Sequence, residues 1–78
     1  MKIYYDEKVD AAYFELSKKK PDGVTEISDY INIDTTSDGE IVGIELTDAS
    51  KKIQIKTLFN FEIDSKSLNK KLKRQIAS

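Results

Sequence analysis

Residues 34–45 read DTTSDGEIVGIE, and two incompatible structures fit the letters. As a calcium loop of the EF-hand kind, Asp34, Thr36, Asp38, Glu40 and Glu45 take ligand positions 1, 3, 5, 7 and 12, and Gly39 takes the tight-turn position 6. As a hairpin, Ser37-Asp38-Gly39-Glu40 is a turn between two strands. The flanks choose between them. An EF-hand loop needs a helix on each side. Here Ile31 and Ile33 share a face in YINI (30–33), and Val42, Ile44 and Leu46 share one in IVGIEL (41–46), which is the period of a strand. Thr36 stands where a calcium loop prefers Asp or Asn. In a hairpin, moreover, Asp34 and Glu45 lie along the strands, away from Asp38 and out of reach of a shared ion. The stretch predicts a hairpin and no metal site.

The same alternation extends outward in both directions. Upstream, residues 2–5 are β-prone, and AAYFELS (11–17) places Ala12, Phe14 and Leu16 on one face and Ala11, Tyr13 and Glu15 on the other. Pro21, Asp22 and Gly23 form a turn, and a short strand follows at 24–27. Gly43, inside a strand, predicts a bulge or the close approach of a large neighbour. Downstream, TDASKK breaks the sheet and allows a helical turn begun by Thr47 or Asp48. In IQIKTLFNFEI (53–63), Ile53, Ile55, Thr57, Phe59, Phe61 and Ile63 alternate, with Leu58 as the exception, and this predicts a long strand. Asp64 or Ser65 then caps a helix whose Leu68, Leu72 and Ile76 form one apolar stripe, with Lys66, Lys70, Lys73 and Arg74 largely off it. The expected fold is α+β and mostly β. It is a single domain, 1–78, in which a small antiparallel meander of about five strands (1–63) carries a C-terminal amphipathic helix (65–77) packed on the sheet.

Composition narrows the function. The 78 residues include no cysteine and no histidine. Disulfides, thiolate metal sites and the commonest general base are therefore excluded. No run is apolar enough to span a membrane and no secretory signal is present, so the expectation is a soluble cytoplasmic protein. The net charge of −1 conceals a gradient: residues 1–45 carry −6, residues 46–64 balance, and residues 65–78 carry +5. An acidic body and a basic tail can be satisfied within one chain, between two copies or by an external anion.

Two blocks, MKIYYDEKVDAAYFELS (1–17) and DGEIVGIELTDASK (38–51), resemble in order the patterns "YD…DALYI.L" and "DG.IVGIEIL.AS" of short prokaryotic proteins. On these blocks the first fifty residues resemble the domain of unknown function 2283. The resemblance implies a small antiparallel sheet and supplies no catalytic or binding residues. Because some members are encoded beside small toxin-like proteins, it also implies an antitoxin-like role. The segment after Lys52 lies outside the matching blocks.

Other chemistries find little support in the sequence. Fourteen acidic residues make some close carboxylate pair inevitable, so such a pair signals nothing. The glycines are isolated, so no phosphate-cradling loop exists, and no nucleophile motif accompanies the serines. Tyr4, Tyr5, Tyr13 and Tyr30 could stack bases, but they lie in the acidic half, which repels phosphate. The expectation is a non-catalytic protein without cofactor or small-molecule substrate. Its contact surface is the C-terminal helix, through Leu68, Leu72, Ile76, Lys70, Lys73 and Arg74. The expected partner is a second copy, forming a dimer, or a small protein; an antitoxin-like pairing is the first alternative and nucleic acid bound by the basic helix the second.

Overall fold

The structure, a computed structural model, describes residues 1–64, 66 and 69–77. Five strands, β1 (Lys2–Asp6), β2 (Ala11–Glu15), β3 (Gly23–Ser28), β4 (Ile31–Thr35) and β5 (Ile41–Leu46), form one antiparallel sheet in the order β1-β2-β5-β4-β3. The decisive stretch is a hairpin: β4 pairs with β5 in the register Ile31↔Leu46, Asn32↔Glu45, Ile33↔Ile44 and Asp34↔Gly43. Gly39 takes a φ of 89°, a left-handed conformation that suits glycine. The Gly39 N–H donates to the Thr36 carbonyl at 3.0 Å, and the Thr36 N–H to the Glu40 carbonyl at 2.9 Å. Thr35 pairs with Ile41, leaving Val42 as an extra residue on β5. Its carbonyl accepts from the backbone N–H groups of both Leu16 and Ser17, at 2.8 and 3.0 Å.

Period-two alternation sorts the side chains onto two faces. Ile3, Tyr5, Ala12, Phe14, Ile44, Leu46, Ile31 and Ile33 share the inner face through the registers Tyr5↔Ala12, Ala12↔Leu46 and Phe14↔Ile44. Tyr4, Tyr13, Glu45, Asn32 and Asp34 share the outer face. A short helix, α1 (Ala49–Lys52), follows β5 and brings Ala49 fully inside. Around Ala12, Leu46 and Ala49 pack Tyr5, Phe14, Ile31, Ile53, Ile55 and Leu58. The core is small, and no large side chain among the described residues is fully buried.

The long strand expected over 53–63 does not form. Residues 55–59 make a 3-10 helix, and 61–64 run on outside the sheet. Leu58, which breaks the alternation, shows why. Ile55 and Leu58 are three residues apart, the period of a 3-10 helix, and both pack on the core, whereas Phe59 is left 81% exposed. The sheet therefore ends at Leu46 rather than at 63.

The C-terminal helix also differs from expectation. It is α2 (Lys70–Ala77) where 65–77 was expected, and Asn69 caps it, its Oδ1 accepting from the Leu72 N–H at 2.9 Å; Ser65, one of the expected caps, lies outside the described residues. Asp64 instead accepts from the Lys66 N–H at 3.0 Å. Of the expected apolar stripe, Leu72 and Ile76 are not buried on the sheet, being 40% and 65% exposed. No helix among the described residues is long and apolar enough to cross a membrane.

Candidate interaction surface

Two side-chain constructions hold the sheet region together. The first joins its two ends. Asp10, in the β1–β2 turn, adopts a φ of 53°, a left-handed conformation that Asp tolerates better than most residues. In that conformation its carbonyl accepts from the Ala49 N–H at 2.9 Å. Its Oδ1 accepts from the Ser50 N–H at 3.0 Å and from the Tyr5 hydroxyl at 2.7 Å, and its Oδ2 accepts from the Ser50 hydroxyl at 2.7 Å. The first backbone N–H groups of α1, which lack a side-chain cap from Asp48, are thus capped by a residue forty positions away. The hydrogen bonds from Ser50 and then Tyr5 hold the Asp10 carboxyl below its ordinary range. The same bond, with burial behind it, raises the Tyr5 hydroxyl.

The second construction crosses the outer face. The Tyr13 hydroxyl on β2 donates to Asp34 Oδ2 on β4 at 2.8 Å, passing over β5, which lies between them. Gly43 makes room for it. A Cβ there would lie 2.0 Å from the Tyr13 hydroxyl oxygen and 2.3 Å from Cζ. Close approach to a large neighbour is what the sequence suggested for this glycine, and the bulge at Val42 adjoins it. Burial and then the Asp34 bond push the Tyr13 hydroxyl up to about 12. Nearby, Asn32 Nδ2 donates to Glu45 Oε1 at 3.1 Å, and the Tyr4 hydroxyl lies 3.4 Å from Glu15 Oε2.

These bonds bear on the chemistry the sequence raised. The carboxylates of the calcium-loop reading point to three different places: Asp34 to Tyr13, Glu45 to Asn32, and Asp38 to the Thr36 hydroxyl. No cluster of three metal-ligating side chains forms among the described residues. In an open concavity of about 640 Å³, Tyr4 is bonded to Glu15, Tyr13 to Asp34, and Lys19 pairs with Glu40. None of this resembles a nucleophile with its base.

The C-terminal third is different. Phe59, Phe61 and Ile63 are 81%, 61% and 75% exposed, and the stripe residues Leu72 and Ile76 are exposed too. Lys70, Lys71 and Arg74 lie on α2, which has no acid in its first turn. Of the contact residues expected from sequence, Leu72 and Ile76 are one turn apart on α2, Lys70, Lys73 and Arg74 belong to the same helix, and Leu68 lies outside the described residues. The sequence reading missed Phe59, Phe61 and Ile63 as surface groups because it placed them in a strand.

The chain exposes 6533 Å² in all, against about 4,800 Å² expected for a compact chain of this mass. Its radius of gyration is 14.7 Å, where about 11.5 Å is usual for this length. The surplus, about 1,700 Å², exceeds the roughly 800 Å² that each partner contributes to a standard protein–protein interface.

One family model, described as "Protein of unknown function (DUF2283)", matches residues 2–50. No curated protein and no solved structure matches the chain. The matched span closes on the Asp10–Ser50 clamp and contains the Tyr13–Asp34 bridge.

Proposed function

We propose that this chain, which belongs to the DUF2283 family, is a non-catalytic module that associates with a second copy of itself through residues 59–77. The observation that carries this reading is the surplus surface together with the exposed apolar groups of the C-terminal segment. Phe59, Phe61, Ile63, Leu72 and Ile76, beyond the span that the family model matches, are left in solvent, as are Val9, Val24 and Ile27 within it. An apolar run of this kind on so small a domain is costly in water and favours a covering partner.

Charge supports a copy of the same chain as that partner. A segment carrying +5 over 65–78 meets a body carrying −6 over 1–45 when two copies associate. The same acidic body opposes nucleic acid, although Lys70, Lys71 and Arg74 would suit phosphate taken alone. The non-catalytic part of the reading rests on composition, with neither histidine nor cysteine, and on hydroxyls and carboxylates engaged in structural bonds. An unlike small protein, as an antitoxin-like role requires, would meet the same surface.

Sedimentation of wild type beside the double variant Leu72→Asp/Ile76→Asp tests the proposal. Wild type is expected to associate as concentration rises, and the variant to associate more weakly. A wild type that sediments as a monomer throughout overturns self-association, and copurification of an unlike small protein in fixed ratio would then favour the antitoxin-like alternative.

A further inference from the structure

Self-association leaves open which surfaces meet, and two features of the molecule lack what the other supplies. The first is the edge of the sheet at β3, the last strand in the order β1-β2-β5-β4-β3. A strand at an edge presents a row of unpaired backbone groups, and proteins usually guard such a row with lysine, proline or a bulge. β3, GVTEIS, contains no lysine and no proline, and its one charge is Glu26. Its irregularity lies between Glu26 and Ser28, so the register from Gly23 to Glu26 is unbroken. Val24 and Ile27 are 66% and 57% exposed. The opposite edge, β1, carries charges at both ends, Lys2 and Asp6. Tyr5 of that strand packs with the core cluster that also gathers Ile53, Ile55 and Leu58.

The second feature is residues 59–63, FNFEI. They keep the alternation of a strand, with Phe59, Phe61 and Ile63 in step and Asn60 and Glu62 between them. No strand forms there, and all five residues are exposed. A strand-patterned segment without a sheet and a sheet edge without a strand thus occur in one chain, while the chain's own path carries the segment off the sheet.

We infer that residues 59–63 of one copy add as a sixth strand to the β3 edge of a second copy, and reciprocally. This deepens the self-association reading and rests on it. Backbone hydrogen bonds along β3 give the contact its strength, and the alternating side chains give it register. With Phe59, Phe61 and Ile63 turned to the inner side, they lie beside Thr25 and Ser28 of β3, which stand between them and Ile33 and Ile31 of β4. A reciprocal exchange about a two-fold axis closes at two copies and uses both edges.

Hydrogen exchange of the full-length chain, measured at concentrations below and above association, tests the inference. Amides of 23–28 and 59–63 are expected to gain protection together as the mass doubles. Phe61→Pro should weaken association at least about ten-fold, because proline cannot take a full place in a ladder. It should leave the melting temperature of the dilute chain unchanged, since Phe61 is exposed and outside the sheet there. A dimer whose protection changes elsewhere, for example only over 70–77, or one indifferent to Phe61→Pro, overturns strand addition and leaves self-association standing. A chain that stays monomeric overturns both.

Discussion

Residues 2–50 and residues 53–77 solve opposite problems. In the first region several polar side chains find partners within the chain: Asp10 takes Tyr5 and Ser50, Asp34 takes Tyr13, and Glu45 takes Asn32. In the second, Ile53, Ile55 and Leu58 reach the core, and Phe59, Phe61, Ile63, Leu72 and Ile76 are left in solvent. The first region ties its strands together through side-chain bonds while leaving Val24 and Ile27 exposed at one edge, whereas the second, beyond Leu58, turns its described apolar groups outward. Stability and association should accordingly separate, with changes in the first region lowering the melting temperature and changes in the second lowering the mass.

The largest effect is expected at Gly43. Gly43→Val forces atoms against Tyr13 and should cost about 3 kcal/mol, which is roughly 12–24 °C in melting temperature for a domain of this size. Thermal melts check this. Combining it with Tyr13→Ala should recover part of the loss, because the clash is with that ring. A Gly43→Val chain as stable as wild type would break the account of the outer face.

Asp10→Ala comes next. It removes the acceptor for Ser50 and Tyr5 and leaves alanine in a left-handed conformation, and should lower the melting temperature by several degrees. Asp10→Asn separates charge from shape. Because the Asp10 carboxyl lies below its ordinary value of 3.8 in the folded chain, its contribution is fully present above that value and is lost as pH falls through the folded value. Asp38 is lowered as well, by its bond from Thr36, and contributes with the same sign. Acid melts of Asp10→Asn should therefore show a shallower loss below about pH 4 than wild type, with part of the slope remaining from Asp38.

At the alkaline end the sign reverses. Tyr13 is raised from 10.0 to about 12, so its stabilisation is whole below pH 10.0 and is lost as pH rises toward 12. Tyr13→Phe should flatten the fall in stability over that window. Phenolate absorbance should show Tyr13 among the last of the four tyrosines to ionise.

In the second region the effects on stability shrink. Phe61→Asp should leave the melting temperature of the dilute chain within about 0.5 kcal/mol of wild type, as surface changes usually do, while reducing association in sedimentation. Confined to one helix, Asn69→Ala removes the cap of α2 and should cost about 1 kcal/mol of local helix stability. That change would be visible in the chemical shifts of 70–77 and not in the global melt.

Much of this division was legible in the sequence, and the reason is periodicity. Ile31, Ile33, Ile44 and Leu46 announce the β4–β5 hairpin because alternation on both sides of Asp38-Gly39 has one economical meaning. The same rule misled at 53–63, where alternation was real but two apolar residues three apart, Ile55 and Leu58, had a better use in the core. Leu58 was the available signal. The helix start was misplaced because Asp64, Ser65 and Asn69 are all capable caps and only geometry selects among them. The Asp10–Ser50 clamp and the Tyr13–Asp34 bridge left no periodic trace, since each joins single side chains far apart in the chain. Gly43 alone hinted at the bridge.

The separation of the two regions is tested most directly by the mass of the full-length chain in sedimentation equilibrium across a concentration series. The account predicts a rise from the 8.9 kDa chain to twice that mass, with Phe61→Asp shifting the rise to higher concentration and leaving the melt unchanged. A mass that stays at 8.9 kDa up to the solubility limit would contradict it.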